Sequence, residues 1–368
     1  MNASQLFISA GDPSGDIATS RLLSALTRLR PGVRCFGLGG PRLKALGQEQ
    51  LADGEDLAVL GFWEVAKRFA FFRKLMHRAE AEIAARRPSC ILLVDYPGFN
   101  LRLARRVRHL NIPIVYYISP QLWAWGGRRI SQLRDLVDLV LLILPFEQEF
   151  YAGTGVKTEF VGHYLLEDIP ANLVSSPPPQ LKQLALLPGS RPQEIERMLG
   201  TMCAAAAEFC RKHNFTAVIA GVRNGHDYQD VLRDYAGAGI SVVYDDSRRL
   251  IASSDLVLTA SGTATLETGI IGRPMVIIYK TGFITYRIAK RLVKIDRIGL
   301  VNLVLGEKVM PELIQNEARP DTIIAELEKF CTPSDYAARS IAALQRLPAL
   351  LGGVGASERA ARRVNDFL

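Results

Sequence analysis

Two short apolar runs of the sequence, 184–187 and 255–259, each lead into a turn of small and polar residues, after which a helical pattern starts. A turn of this type, between a buried strand and a helix, presents free backbone amides at the helix N-terminus and favours a phosphate there. An ordinary N-capped joint has the same pattern. The residues of the two turns are Gly189, Ser190 and Arg191, and Ser261, Gly262 and Thr263.

Two carboxylates stand close to such turns. Glu267 follows the turn at Ser261 by about one helical turn, where a carboxylate could accept hydrogen bonds from two ribose hydroxyls. Asp95 ends the apolar run 88–94, and open α/β sheets bind ligands at the carboxyl ends of their strands. There Asp95 could take a proton from an attacking hydroxyl. A helix N-cap or a hydrogen bond within the loop is the alternative role for Asp95.

A third glycine turn, Gly11-Asp-Pro-Ser-Gly-Asp16, follows the predicted first strand. Its glycines allow backbone amides to approach a ligand closely. Their spacing is not the GxGxxG pattern of dinucleotide-binding proteins. His163, at the end of a later predicted strand, could hold a phosphate or act as an acid, although lone histidines are mostly structural.

The composition indicates a folded globular protein with anionic partners. The chain has 368 residues, enough for two domains, and 48% of them are hydrophobic. Its net charge of +8 favours phosphates, nucleic acid or an acidic membrane surface. Five cysteines without a CxxC pair argue against a zinc site or a disulfide framework. We find no signal-peptide pattern, and no apolar stretch reaches the roughly 18 residues of a membrane span.

Two basic segments carry apolar and aromatic residues at helical spacing, 60–78 and 285–298. Each suits the headgroup layer of an anionic membrane, and the first also suits contact with acyl chains. A helix with a solvated basic face is the alternative for both. Nucleic-acid binding is not expected, because the basic residues are spread among apolar ones. The residues expected at the membrane or the acyl chains are Phe62, Trp63, Phe69 and Phe72.

Strands alternate with helices along the chain, which predicts an α/β fold. The stretch 168–180, polar and rich in proline, is the predicted linker. We therefore expect two Rossmann-like βα domains that face a central cleft, residues 1–167 and 168–345. A C-terminal helix within 346–368 is expected to pack back on the first domain. Residues 311–315, with an acidic residue near their start, are expected to be helical.

Eight short motifs occur in order between about residue 8 and residue 317. They are Ala10-Gly-Asp-Pro-Ser-Gly-Asp16, Gly37-Leu-Gly-Gly-Pro-Arg42, Val94-Asp-Tyr-Pro-Gly-Phe-Asn100, Tyr117-Ile-Ser-Pro-Gln-Leu-Trp-Ala-Trp125, Leu144-Pro-Phe-Glu147, Phe160-Val-Gly-His163, Leu187-Pro-Gly-Ser-Arg191 and Ser261-Gly-Thr-Ala-Thr-Leu-Glu267. Each motif is modest, but the ordered set is specific. In this order and at this spacing the motifs resemble those of the lipid-A-disaccharide synthase family.

The resemblance implies a GT-B glycosyltransferase of lipid A biosynthesis. Such an enzyme transfers 2,3-diacylglucosamine from UDP-2,3-diacylglucosamine to 2,3-diacylglucosamine 1-phosphate, forms a β-1,6 bond with inversion and releases UDP. By the same resemblance Asp95 is the base, the turns with Arg191 hold the diphosphate and Glu267 holds the ribose. Neither a metal nor a cofactor is implied. The other substrate-binding residues that it implies are Gly11, Asp12, Ser14, Asp16, Asn100, His163, Ala264 and Asn302.

Two positions depart from the family pattern. Asp12-Pro13 stands where the family usually has glutamate followed by a small residue, so an acceptor contact there is expected to differ. Gly98 stands where some members have a second acid, which leaves Asp95 as the acid of that motif.

The resemblance also implies a cytoplasmic protein that is peripheral on the inner membrane, with the two acylated sugars and an anionic membrane surface as partners. It leaves a homodimer open. Three alternatives remain from the sequence. They are a transferase acting on a lipid-linked cell-wall intermediate, an epimerase of free UDP-N-acetylglucosamine, and a non-catalytic protein that binds anionic lipid or nucleotide.

Overall fold

The structure, a computed structural model, describes residues 4–52, 69–125, 129–174, 180–223, 228–244, 246–282 and 297–368. The chain divides into two compact units. Unit 1 comprises Met1–Tyr164 together with Gly352–Leu368, and unit 2 comprises Leu165–Leu351. The chain thus enters unit 2 once and returns to unit 1 for its last residues.

Unit 1 is built on a parallel sheet of seven described strands. These are Gln5–Ala10 (β1), Arg34–Leu38 (β2), Glu49–Gln50 (β3), Cys90–Val94 (β4), Ile114–Tyr117 (β5), Leu139–Leu142 (β6) and Thr158–Phe160 (β7). Their order across the sheet is β3-β2-β1-β4-β5-β6-β7. Central strands such as β4 are buried along their whole length, as expected where helices cover both faces of a parallel sheet.

Proline begins the helices that follow three of these strands. Pro13, Pro41 and Pro97 occupy the first helical turn, where an N–H has no intrahelical partner to lose. These starts turn the chain sharply at the carboxyl end of each strand. The described helices of this part are Pro13–Leu29 (α1), Pro41–Ala45 (α2), Phe69–Arg86 (α3), Pro97–Val107 (α4), Leu122–Trp125 (α5), Ile130–Leu136 (α6) and Phe146–Tyr151 (α7).

Unit 2 repeats the plan with six described strands, all paired in parallel. They are Gln183–Leu187 (β8), Thr216–Gly221 (β9), Ile240–Tyr244 (β10), Leu256–Ala260 (β11), Met275–Tyr279 (β12) and Glu312–Ile314 (β13), in the order β10-β9-β8-β11-β12-β13. The helices are Leu165–Asp168 (α8), Pro192–His213 (α9), Tyr228–Arg233 (α10), Ser247–Ser253 (α11), Thr263–Ile271 (α12), Leu300–Leu305 (α13), Pro320–Glu328 (α14), Asp335–Leu344 (α15) and Leu347–Leu350 (α16).

The last helix, Ala356–Asn365 (α17), belongs to unit 1 and packs on α1. Its Arg359 side chain fixes the returning segment. The Nε atom donates to the carbonyl of Val161 at 2.8 Å, and Nη2 donates to the carbonyl of Gly352 at 2.8 Å. The chain end is therefore part of the folded unit.

The predicted α/β fold with two parallel sheets is confirmed. The prediction of a helix at 311–315 is wrong: residues 312–314 form β13, whose Leu313 pairs with Ile278 of β12. Pairing with an existing sheet edge outweighs the weak local preference of so short a segment. Residues 60–68 and 285–296 of the two basic segments lie outside the described residues. Within the described part of the chain, no helix is long and apolar enough to cross a membrane.

Gly37 offers a direct test of how tightly β2 packs on β1. Its φ is +139°, and a β-carbon added there would lie 2.1 Å from the Ile8 carbonyl oxygen. We expect Gly37→Ala to lower the free energy of unfolding by about 3 kcal/mol, from backbone strain and a steric clash. Urea unfolding of the full chain measures this.

Gly200→Ala is the matched control, since Gly200 lies within α9 and, apart from its chain neighbours and the backbone of that helix, no atom lies within 4 Å of the added carbon. Alanine favours a helix interior over glycine by about 1 kcal/mol, so this variant should be as stable as the wild type or more stable. Equal stability of the two variants would contradict the packing described.

Candidate active site

Asp95 lies at the carboxyl end of β4, in a turn with unusual backbone geometry. Asp95 and Tyr96 both have positive φ, +44° and +46°. Three hydrogen bonds hold the turn. The Asp95 N–H donates to the Tyr117 carbonyl at 3.0 Å, and the Asp95 carbonyl accepts from Asn100 Nδ2 at 2.8 Å and from the Tyr116 hydroxyl at 2.5 Å. Strained residues held by such bonds occur often at active sites.

The environment of Asp95 raises its pKa to about 6. Burial is the main cause, because it disfavours the charged form, and the negative charge of Asp12 adds to it. The backbone amide of Tyr96 acts in the opposite direction. A carboxylate with this pKa is mostly ionised at neutral pH and is a stronger base than an ordinary aspartate.

The turn of Gly11 and Asp12 lies beside the Asp95 turn because β1 and β4 are neighbours, with Ala10 opposite Val94. A β-carbon on Gly11 would lie 2.5 Å from the Tyr96 ring, so glycine permits the close contact. The Asp12 side chain accepts from the Gly15 N–H at 3.2 Å and from the Ser14 hydroxyl, and it caps α1. The structure thus brings these predicted residues together with Asp95.

Asp16 and Asn100 are buried and make several hydrogen bonds within the protein. The Asp16 carboxylate accepts from three N–H groups at the start of α2, those of Gly40, Arg42 and Leu43, at 2.9–3.2 Å. Asn100 Oδ1 accepts from the Ser9 hydroxyl at 2.6 Å, while Nδ2 donates to the carbonyls around Asp95. A substrate contact with either side chain would have to compete with these bonds.

His163 is 3% exposed, and its ring stacks on Tyr164 with the centroids 4.9 Å apart. Burial lowers the pKa of this histidine to about 3. The imidazole is therefore neutral at physiological pH and has no charge to offer a phosphate. A contact with substrate could only use packing or a neutral hydrogen bond.

Glu147 is a buried acid of unit 1 that we did not predict as a site residue. It is 1% exposed, in the first turn of α7, and its Oε2 accepts from the Leu144 N–H at 3.2 Å. Burial raises its pKa to about 8, and the charge of Asp95 contributes to that shift. Between pH 6 and pH 8, Glu147 is therefore mostly protonated and neutral while Asp95 is mostly ionised. The sequence signal was its place in the motif Leu144-Pro-Phe-Glu147.

In unit 2, the first predicted phosphate turn follows β8. Gly189 has a φ of +109°, and α9 begins at Pro192, so the turn runs straight into a helix of 22 residues. Ser190 and Arg191 are exposed. The Arg191 guanidinium donates to Glu194 Oε1 at 3.1 Å. An exposed arginine at this position can turn toward a bound anion.

The second predicted phosphate turn follows β11, the strand next to β8, with Thr259 opposite Leu187. Gly262 and Thr263 are exposed at the start of α12, and Ala264 is half-buried behind them. The Ser261 hydroxyl donates to the Ile298 carbonyl at 2.8 Å. Because neighbouring parallel strands end at the same edge, the two turns lie at one edge of the sheet.

Glu267, one turn into α12, forms an ion pair that the sequence did not predict. Its Oε1 accepts from Arg248 Nε at 2.9 Å, and its side chain is 17% exposed.

Asn302 is fully buried. Its Nδ2 donates to the Met310 carbonyl and to Glu312, and its Oδ1 accepts from two backbone amides. These hydrogen bonds fix the backbone at Val309 and Met310, so Asn302 has a structural role in this loop.

The predicted membrane residues are only partly described. Phe62 and Trp63 lie outside the described residues, and of Phe69 only the backbone is described. Phe72 is half-buried and packs against the core of unit 1, with its ring 5.5 Å from that of Phe71.

Among the side chains that the structure describes, no three His, Cys, Asp or Glu residues are grouped closely enough to hold a metal ion.

Comparison with known proteins decides the family. The family model described as lipid-A-disaccharide synthetase matches residues 6–347. The chain belongs to the lipid-A-disaccharide synthase family. A lipid-A-disaccharide synthase of Anaeromyxobacter dehalogenans is 41% identical to it, over 98% of this chain and 96% of that protein. The chain is therefore that of a glycosyltransferase of lipid A biosynthesis.

Solved structures with the same fold are glycosyltransferases of the GT-B class and epimerases. The kitacinnamycin glycosyltransferase is similar with a TM-score of 0.65 and 14% identity, covering all of both chains. The UDP complex of MnaA from S. aureus is similar with a TM-score of 0.66 and 11% identity, covering 98% of this chain and 95% of that one. At such identities the likeness concerns the fold.

Glu147 gives a pH-dependent stability that can be measured. Its pKa in the folded chain is about 8 against an ordinary 4.5, so the folded state holds this proton more tightly. Protonated Glu147 contributes its full stabilisation at a pH below the ordinary pKa of 4.5. This stabilisation is lost as the pH rises through the folded-state pKa of about 8. We expect the stability of Glu147→Gln relative to wild type to increase across this range, by about 2 kcal/mol or more, in urea unfolding.

The control is Glu149→Gln, which removes an exposed carboxylate of the same helix. Its difference from wild type should not change with pH. A difference for Glu147→Gln that is equally flat would show that this carboxyl is not held protonated.

Proposed function

We propose that this protein transfers 2,3-diacylglucosamine from UDP-2,3-diacylglucosamine to the 6-hydroxyl of 2,3-diacylglucosamine 1-phosphate, with inversion, and releases UDP. The observation that carries the proposal is the half-buried Asp95 side chain at the end of β4, in a strained turn and with its pKa raised to about 6. Membership of the family supports the two acylated sugars as substrates.

In the proposed reaction Asp95 is the general base. Its carboxylate accepts the proton of the 6-hydroxyl while that oxygen attacks the anomeric carbon of the donor. The new carbon–oxygen bond forms on the face opposite the diphosphate, and the bond to the diphosphate breaks. One displacement from an α-linked donor gives a β-linked product, so a single base suffices. The hydrogen bonds of Asn100 and Tyr116 to the Asp95 carbonyl hold this base in place.

The departing UDP carries negative charge that must be stabilised as the bond breaks. The amides of the turns at Gly189 and Gly262 and the guanidinium of Arg191 are the groups proposed for this task. They supply positive charge and N–H donors without a metal ion, so the proposal includes none. Ser190, Ser261, Thr263 and Ala264 complete the surface of these turns.

The other predicted residues have two kinds of role in this proposal. Gly11, Asp12 and the exposed Ser14 contact the acceptor beside Asp95, and Glu267 accepts hydrogen bonds from the ribose. The remaining side chains are buried, and they shape the turns or pack behind the substrates. They are Asp16, Asn100, His163 and Asn302.

We also propose that the protein is peripheral on the anionic cytoplasmic face of the inner membrane. The net charge of +8 supports this, and so does α3, where Arg73 and Lys74 are exposed next to the half-buried Phe71 and Phe72. Basic residues near an anionic surface each contribute about 1 kcal/mol to binding.

The reaction is tested by UDP release with both acylated sugars in detergent. We expect turnover with the wild type. Asp95→Asn should lose about 10³-fold in kcat because the base is gone, while its UDP affinity stays within about twofold. Wild-type protein that is folded but releases no UDP would refute the proposal, as would a fully active Asp95→Asn. Epimerisation of UDP-N-acetylglucosamine alone would favour the epimerase alternative.

The pH profile tests the base more closely. With Asp95 at a pKa of about 6, kcat/KM should fall about tenfold per pH unit below that value. Asp12→Asn removes the negative charge that raises this pKa, so the acid limb should move to lower pH. Asparagine is also a good N-cap, so α1 keeps its cap. An unmoved acid limb would mean that another group controls the profile.

Membrane binding is tested by co-sedimentation with phosphatidylglycerol vesicles. The double variant Arg73→Glu/Lys74→Glu should bind at least about tenfold more weakly than wild type. The control Arg211→Glu/Arg339→Glu makes the same change in net charge at exposed positions of unit 2. An equal loss in both variants would contradict a binding surface on α3.

A further inference from the structure

Arg248 in α11 lies between two carboxylates of unit 2. Toward α12, its Nε donates to Glu267 Oε1 at 2.9 Å, and its Nη2 lies 2.7 Å from the same oxygen. Toward α8, Nη2 donates to Asp168 Oδ2 at 2.5 Å and Nη1 donates to the Asp168 carbonyl at 2.9 Å. One guanidinium thus joins a residue at the start of unit 2 to the predicted ribose carboxylate.

The three side chains are largely shielded from water. Arg248 is 26% exposed, Glu267 17% and Asp168 11%. Ion pairs of this kind are screened less than those on the surface, and the planar guanidinium fixes direction as well as charge. A lysine at the same position would keep the charge but would lose the fork that reaches both carboxylates.

The contacts of Arg248 with Glu267 use Oε1, which leaves Oε2 to other donors. The three groups together carry two negative charges and one positive, so their sum is negative. Such a group attracts hydrogen-bond donors and repels phosphate. A vicinal diol is the part of a nucleoside diphosphate that fits it, while the diphosphate is better placed at the turns.

We propose that Arg248, itself anchored by Asp168, is a positioning residue of the donor site that holds Glu267 with one carboxylate oxygen directed to the ribose hydroxyls. This rests on the ribose contact assigned to Glu267 under the proposed function. Asp168 contributes from the segment where the chain enters unit 2, 80 residues before Arg248. The arrangement makes recognition of the ribose depend on a residue that does not touch the nucleotide.

The test measures binding of UDP and of 2′,3′-dideoxyuridine diphosphate to the full chain by calorimetry, without acylated sugars. The wild type should prefer UDP by about tenfold or more, because hydrogen bonds to a charged group are strong. Glu267→Gln should lose most of this preference. Arg248→Gln should lose about as much, and Arg248→Lys and Asp168→Asn should lose part of it.

The double variant Arg248→Gln/Glu267→Gln decides whether the two residues act together. If Arg248 acts through Glu267, the double variant binds UDP no more weakly than Glu267→Gln alone. Additive losses would overturn the inference, and so would a normal ribose preference in Arg248→Gln. Should Arg248→Gln fail to fold, Arg248→Lys and Asp168→Asn carry the same test, each combined with Glu267→Gln.

Arg249→Gln is the matched control, since Arg249 is the next residue, is 78% exposed and pairs with Asp246. It should bind both nucleotides as the wild type does. If Glu267→Gln itself keeps the full preference for UDP, the ribose role of Glu267 fails together with the inference. If Arg248→Gln loses the preference for UDP while Glu267→Gln keeps it, Arg248 does not act through Glu267, and Glu267 lies outside the site. Transfer of the acylated sugar is not needed for any of these outcomes.

Discussion

The parallel pairing of β1 with β4 is the contact on which the proposed chemistry of unit 1 depends. Its register sets Ala10 opposite Val94, so the turns that follow leave the sheet side by side. This proximity lets the charge of Asp12 raise the pKa of Asp95, and it requires glycine at position 11 beside the Tyr96 ring. The register of these two strands therefore adds to the effect of burial, which is the main cause of the raised pKa of the proposed base.

The two units place different chemical groups after the strands of their sheets. In unit 1, burial and neighbouring acids raise the pKa of Asp95 and keep Glu147 neutral. In unit 2, the two turns precede the N-termini of α9 and α12, and Arg191 is exposed at the start of α9. A general base needs its negative charge destabilised, whereas a departing diphosphate needs its charge stabilised.

The sequence predicted the parts of the fold that depend on local pattern. Apolar runs identified the strands β1, β4, β8 and β11, and small and polar residues identified the turns that follow them. The strand β13 was missed because three residues have little local preference, and its pairing with β12 decides its structure. The sequence also could not show that the polar side chains of Asp16 and Asn302 bond to backbone amides of their own unit. Arg248 was missed because its partners are distant in sequence.

The turn at Asp95 shows how residues without a proposed substrate contact would support the proposed base. Two adjacent non-glycine residues with positive φ cost about 1–3 kcal/mol each, yet glycine could replace neither. The proposed base needs a carboxylate at position 95, and the Tyr96 ring packs against Gly11. The strained backbone is held because the Asp95 carbonyl accepts from Asn100 and Tyr116. Burial raises the pKa of Tyr116 well above its ordinary value, so its hydroxyl stays a donor. Buried polar groups next to β4 therefore fix the backbone geometry of the proposed base.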